Sequence, residues 1–295
     1  MSQRRNWKAT AQLVAAMSLA GSSVVVGKGL AGSLPVYLTT FATLLVAQTV
    51  MLPYAWQKRE EIRSLEPREW LYLFLQGICG IVLFRVLMLS GLRTIGAAQA
   101  GIITGTSPAV LTILSWLMLG ERPSALATVG VLCAMGGAAG LAVTDTGGAA
   151  AGGIPWGIIL VFGAVVSEGL FSIWRKRIAA TVSATANTVV LVFCAMVTLF
   201  PMALLDLLHN PALPTTADIL AILYYGAIAT VVAYILWTGA VGSVSGVTAG
   251  ITTAAMPASA VLLSALLLGE PLSAPQLSGC LLVVSGIVAG SWATR

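Results

Sequence analysis

The sequence predicts an all-α polytopic membrane protein of ten transmembrane helices, arranged as two inverted-topology five-helix repeats. Three observations carry this. The 295 residues are 58% apolar and only 8% charged, against about 25% charged in soluble domains, and the mean hydropathy is +0.96. Ten apolar runs approach the ~20 residues that a helix needs to cross the hydrocarbon core. The letters LMLGERPS at 117–124 return as LLLGEPLS at 266–273, 149 residues later.

Taken in order, the spans fall at roughly 9–30, 34–57, 69–91, 94–119, 124–144, 155–174, 183–207, 217–238, 244–268 and 273–293. The first run is long enough to span and reads as a retained helix, not a cleaved signal. GGAAAGGIP at 147–155 is the natural linker between two groups of five. With the N-terminus in the cytoplasm, twelve of the 15 Lys and Arg residues fall on the inner side: Arg4, Arg5, Lys8, Lys58, Arg59, Arg63, Arg68, Arg122, Arg175, Lys176, Arg177 and Arg295. Lys28 and Arg93 fall outside and Arg85 lies within a span. This positive-inside bias puts both termini in the cytoplasm. Trp7, Trp56, Trp70, Trp156, Trp174 and Trp292 fall near helix ends, as an interfacial aromatic belt requires.

The 149-residue offset extends beyond the opening motif. Aligned without gaps, 100–124 and 249–273 share 13 of 25 residues, among them Pro108/Pro257, Gly120/Gly269, Glu121/Glu270 and Ser124/Ser273. The same offset pairs Trp7 with Trp156, Ser18 with Ser167, Gly77 with Gly226 and Gly137 with Gly286. The chain therefore divides into repeats at 1–149 and 150–295. Five spans are an odd number, so the second repeat enters the membrane upside down. Inverted repeats are common in secondary transporters, where the site lies near the midplane between the halves. Two similar halves of opposite orientation adopt two near-equivalent arrangements, one open to each side.

Several classes are disfavoured. The net charge of +5 is a matter of topology and not of nucleic-acid binding. Cys79, Cys133, Cys194 and Cys280 lie in apolar runs without a CxxC pair and read as small packing residues. His209 is the single histidine. No Walker A pattern is present, and no cofactor is expected. A membrane enzyme would need paired acids or a metal cluster, and a channel is the third class.

Two five-helix halves, each ending in P-x(11)-GE-x-x-S, resemble the EamA-type branch of the drug/metabolite transporter superfamily. The matching residues are Pro108 to Ser124 and Pro257 to Ser273. The layout is similar to the bacterial aromatic amino acid exporters. The resemblance covers the whole chain and implies a bacterial inner-membrane exporter of small metabolites, often amino acids, working as a monomer. It also implies a central cavity built by helices 1, 3, 4, 6, 8 and 9. Amino acids, aromatic and other neutral ones included, are the expected cargo; drugs, nucleotide sugars or other small metabolites are the alternative.

Polar groups inside spans cost about 2.5–3.5 kcal/mol for a central charge on insertion scales, so each calls for a role. Glu168 is the one acid well inside a predicted span. It suits a proton-linked or amine-binding carboxylate, or a structural partner of an Arg or hydroxyl. Arg85 suits a substrate carboxylate, an internal ion pair, or snorkelling to headgroups. Gln99 shares a helix face with Ile103, Thr106 and Val110; its repeat partner Thr248 shares one with Thr252 and Ala255. Ser18 and Ser22 on the first span are further cavity candidates, against the alternative that they bond their own helix. Tyr225, Tyr234 and Trp237, with Tyr224 beside them, make the eighth span aromatic. Pro108 and Pro257 lie mid-span, remove a backbone bond and predict kinks suited to a cavity wall or gate.

Overall fold

The computed structural model describes residues 2–95, 100, 103–123, 125, 128–129, 131–132, 156–209, 213–268, 274, 278, 281 and 285. The predicted fifth and tenth spans, the linker at 147–155, Gln99, Glu270 and Ser273 lie outside the described residues or almost wholly so.

The described chain is all helical. Helix α1 covers Ser2–Ser33, α2 Val36–Gln57, α3 Arg59–Arg63, α4 Pro67–Leu92, α5 Ser107–Leu119, α6 Trp156–Ile178, α7 Ala184–His209, α8 Thr216–Ser243, α9 Gly246–Thr253 and α10 Ala255–Leu268. Among the described residues seven helical stretches are long and apolar enough to cross a membrane, α9 and the start of α10 counting as one, and α5 is a shorter apolar helix.

The helix starts follow local chemistry. Glu66 and Glu69 form a capping box with Pro67 inside the first turn of α4. Thr215 and Asp218 form one for α8, and the Ser245 side chain caps α9 through the Thr248 amide. Pro35 precedes α2 without a side-chain cap. Asp206 of α7 supplies the missing acceptor, taking the Tyr37 and Leu38 amides at 3.0 and 3.2 Å. Helix α5 stops at Gly120, whose φ of +72° is the left-handed conformation that glycine adopts without a Cβ clash.

Packing runs in matched pairs. Helix α2 lies along α7 and α5 along α9; α4 lies along α6, and α8 along α1. Two glycines 149 residues apart permit close approaches at equivalent crossings. A Cβ on Gly77 would press on the Leu191 carbonyl of α7, and one on Gly226 would press on the Thr43 carbonyl of α2. Small residues at such crossings let backbones meet in a membrane, where packing, not water exclusion, drives association. The shared core lies between these pairs and includes Leu13, Leu44, Ile81, Leu111, Ile173 and Leu191.

Two kinds of helix irregularity recur at the repeat offset. Both α4 and α8 contain a π-helical stretch, Ile78–Leu83 and Tyr225–Val232. The chain also turns at 105–106 ahead of α5, and at Ala254 between α9 and α10. The predicted mid-span kinks therefore sit just ahead of the prolines. Pro108 is in the first turn of α5 and Pro257 in the first turn of α10. Proline is tolerated there because a first-turn N–H has no intrahelical partner to lose.

The exposed Trp7, Trp56 and Trp156, at 59%, 72% and 72%, stand at helix ends as anchors should. Trp174 differs: its ring stacks on Tyr72 at 5.7 Å.

Candidate functional site

A narrow cavity of about 60 Å³ opens between α1, α4, α6 and α8, smaller than the ~300–1,000 Å³ of pockets that enclose a drug-sized ligand. Five residues singled out in the sequence line it: Arg85, Glu168, Tyr225, Tyr234 and Trp237. Lining residues also recur at the offset of 149, as Gly80 with Ala229, Phe84 with Ala233, and Arg85 with Tyr234.

Arg85 is buried, at 3% exposure, so it does not snorkel to the headgroups. It donates to the Thr43 hydroxyl at 2.8 Å and to the Thr230 hydroxyl. Each hydroxyl spends its own proton on a helix carbonyl, Thr43 on Thr40 and Thr230 on Tyr225. A hydroxyl has one proton and two lone pairs, so both present lone pairs to the guanidinium. The Thr230 bond reaches back five residues, the spacing of the π turn. The Tyr225 ring lies 4.5 Å beneath the guanidinium carbon, a cation–π arrangement. Among the described residues Arg85 forms no ion pair.

Glu168 stands in the middle of α6 on the same cavity. Among the described residues its carboxylate has one weak partner: the Ser107 hydroxyl donates to it at 3.4 Å. It too forms no ion pair among the described residues. The cavity thus holds one guanidinium and one carboxylate, each held by neutral groups. The remaining walls combine aromatic rings with small residues such as Ala16, Ala20, Gly80, Ala229 and Ala233. Phe171 meets Tyr234 edge-on at 5.5 Å, and the Tyr234 hydroxyl donates to the Gly80 carbonyl inside the π turn of α4. The Trp237 indole N–H is buried with no acceptor among the described residues.

Other sequence candidates lie elsewhere. Ser22 donates to the Leu19 carbonyl and shares a 2.7 Å bond with the Tyr224 hydroxyl, tying α1 to α8 outside the cavity wall. Its neighbour Ser23 faces the cavity instead. Ser18 is half-buried and absent from the wall. Thr248 is engaged in the Ser245 cap and Thr252 donates to Ala249 on its own helix. Ile103 packs against the core. Gln99 lies outside the described residues. Among those residues no three His, Cys, Asp or Glu side chains gather as a metal site would need.

Arg175 is a residue whose setting the loop-charge reading missed. It is 3% exposed and donates to the carbonyls of Thr238 and Val182, both at 2.9 Å. An arginine in a last helical turn looks like any other interfacial cation in sequence, so no signal distinguished it.

The chain matches the EamA-like transporter family twice, over residues 7–143 and 155–291. It is 31% identical over 288 residues to the uncharacterized transporter YetK of Bacillus subtilis, covering 96% of this chain and 87% of that one. It is 26% identical over 255 residues to the uncharacterized transporter YwfM of the same organism, covering 85% and 83%. A solved crystal structure shares the fold with a TM-score of 0.77 over 96% of both chains, at 20% identity.

Proposed function

The chain belongs to the EamA-like transporter family, and from that premise we propose that this multi-pass membrane protein is a secondary carrier of amino acids, aromatic and other neutral ones included. It carries ten helices as two inverted repeats, 1–149 and 150–295, sits in the bacterial inner membrane with both termini cytoplasmic, and moves its cargo outward by alternating access. The recurrence at offset 149 of the π turns, the proline-preceding breaks, the close-approach glycines and three pairs of cavity residues supports the repeat.

One observation carries the cargo reading: a guanidinium and a carboxylate, neither in an ion pair among the described residues, share a cavity that aromatic rings partly line. Buried charges without partners are costly. A zwitterion compensates both, its carboxylate at Arg85 and its ammonium at Glu168. The rings of Phe171, Tyr225 and Tyr234 offer stacking to an apolar side chain, and the Trp237 N–H offers one more donor. Helix breaks just ahead of Pro108 and Pro257 and the wide turns of α4 and α8 leave the backbone room to change shape around the cavity.

The test is uptake into liposomes of a panel of labelled amino acids, with and without a proton gradient. Large neutral and aromatic amino acids enter in the expected result, and Glu168→Gln lowers uptake at least about tenfold while staying monodisperse, as loss of a charge-assisted contact predicts. Transport of drugs or other metabolites with no amino acid moved replaces the cargo and leaves the carrier.

A further inference from the structure

At the end of the molecule that carries Arg175, Lys176 and Arg177, one carboxylate ties the two halves of the sequence together. Gly120 turns the chain out of α5 and presents Glu121 to two partners at once. One carboxylate oxygen takes the Lys176 ammonium of α6 at 2.7 Å; the other takes the Gly246 amide at the start of α9. Lys176 also donates to the Val244 carbonyl at 3.1 Å, and Arg177 donates to the Met118 carbonyl at 3.0 Å.

The arrangement is more than a helix-ending turn. The Lys176 side chain is only 9% exposed, so its charge relies on Glu121. Glu121 also supplies negative charge to a helix N-terminus that belongs to the other half. Residue 246 is glycine at a point where a Cβ would strike both Ser115 and the Glu121 carboxylate. The joint is mechanically linked to the cavity. Helix α5 runs from Ser107, which touches Glu168, to the turn that holds Glu121. Helix α6 runs from Glu168 to Lys176, eight residues or about 12 Å at 1.5 Å per residue.

We infer that Glu121, Lys176 and the Gly246 amide form a latch that holds this end of the carrier closed, and that the latch must break for the cavity to open toward it. The inference rests on the alternating-access reading above.

Side-specific labelling tests it without any knowledge of the cargo. Ser23→Cys places a reporter thiol on the cavity wall, in a chain whose Cys79, Cys133, Cys194 and Cys280 are replaced. A membrane-impermeant maleimide is then offered to vesicles of each sidedness. Glu121→Gln and Lys176→Met are expected to raise the labelling rate from the latched face about fivefold, the equivalent of one partly exposed ion pair. Labelling from the opposite face should fall, and Lys176→Arg should stay close to the parent. Parent-like labelling from the latched face in monodisperse Glu121→Gln and Lys176→Met overturns the latch. If neither is monodisperse, Glu121→Asp, which keeps the charge and shortens its reach, takes their place under the same criterion. A latch effect without amino acid uptake removes the cargo reading alone; uptake without a latch effect removes the latch alone.

Discussion

Arg85 and Arg175 are both arginines inside apolar helices, and both are 3% exposed. Their partners make them different instruments. Arg175 is bound by the carbonyls of Thr238 and Val182, with the Asn187 side-chain oxygen farther off at 3.4 Å. These acceptors belong to α8, the corner after α6 and the start of α7, so the guanidinium ties three elements together. Arg85 is bound by two threonine hydroxyls and a ring face, and it borders the cavity. Hydroxyls rotate and ring faces yield, whereas carbonyls in the backbone do not. Burial alone therefore does not distinguish the two; the rigidity of their acceptors does, and under the proposed function it leaves Arg85 free to bind cargo.

The largest expected effect follows from removing the rigid case. Arg175→Met leaves two buried carbonyls without their donor, each worth about 1–3 kcal/mol. The variant should lose a substantial part of its thermal stability in detergent, read as the Tm of the monodisperse fraction. Arg85→Lys should melt much closer to the parent. Equal losses at the two sites would abolish the distinction drawn between them.

Arg85→Lys is expected to fail in function. Lysine offers a compact ammonium in place of a planar fork and cannot hold Thr43, Thr230 and a carboxylate together. Loss of one charge-assisted bond is worth about 1.5–3 kcal/mol, or roughly 10- to 150-fold in apparent affinity. Concentration dependence of amino acid uptake measures this. Parent-like uptake by Arg85→Lys would mean that the guanidinium is not a ligand of the cargo.

The same contrast explains what was legible in the sequence. Apolar length and loop signals located the seven spans seen among the described residues, because a membrane helix has few other ways to be built. Arg85 and Glu168 stood out because charges in apolar runs are expensive, and Tyr225, Tyr234 and Trp237 because aromatic residues cluster in one span. Ser22 and Thr252 were chosen on the same reasoning and point elsewhere. A threonine that bonds its own helix and one that faces a cavity share the same letter. Ser23 lies one residue, about 100° of helix rotation, from Ser22. The π turns have no sequence signature, yet they shape the site: they place the Gly80 carbonyl under Tyr234 and let Thr230 reach Tyr225.

The smallest effect concerns the half-buried counterpart of Arg175 at the same corner. Arg175 holds the Val182 carbonyl from within. From the surface helix α3, Glu61 takes the Ser183 amide at 2.7 Å and its hydroxyl at 3.0 Å, with Lys58 3.0 Å away. Partial burial pushes the Glu61 carboxyl up, but the Ser183 bonds and the Lys58 charge together outweigh it and hold the group below its usual range. A depressed carboxyl contributes stability that is fully present above its unfolded value, near ~4.3 for glutamate, and is lost as the pH falls through the folded value. The parent should therefore exceed Glu61→Gln in stability at neutral pH by about 1 kcal/mol or less, the usual worth of a helix cap. The gap should close between roughly pH 5 and pH 3, in paired Tm measurements across that range. A gap that stays constant with pH would mean that the corner is held by Arg175 alone and that Glu61 adds no charge-dependent clamp.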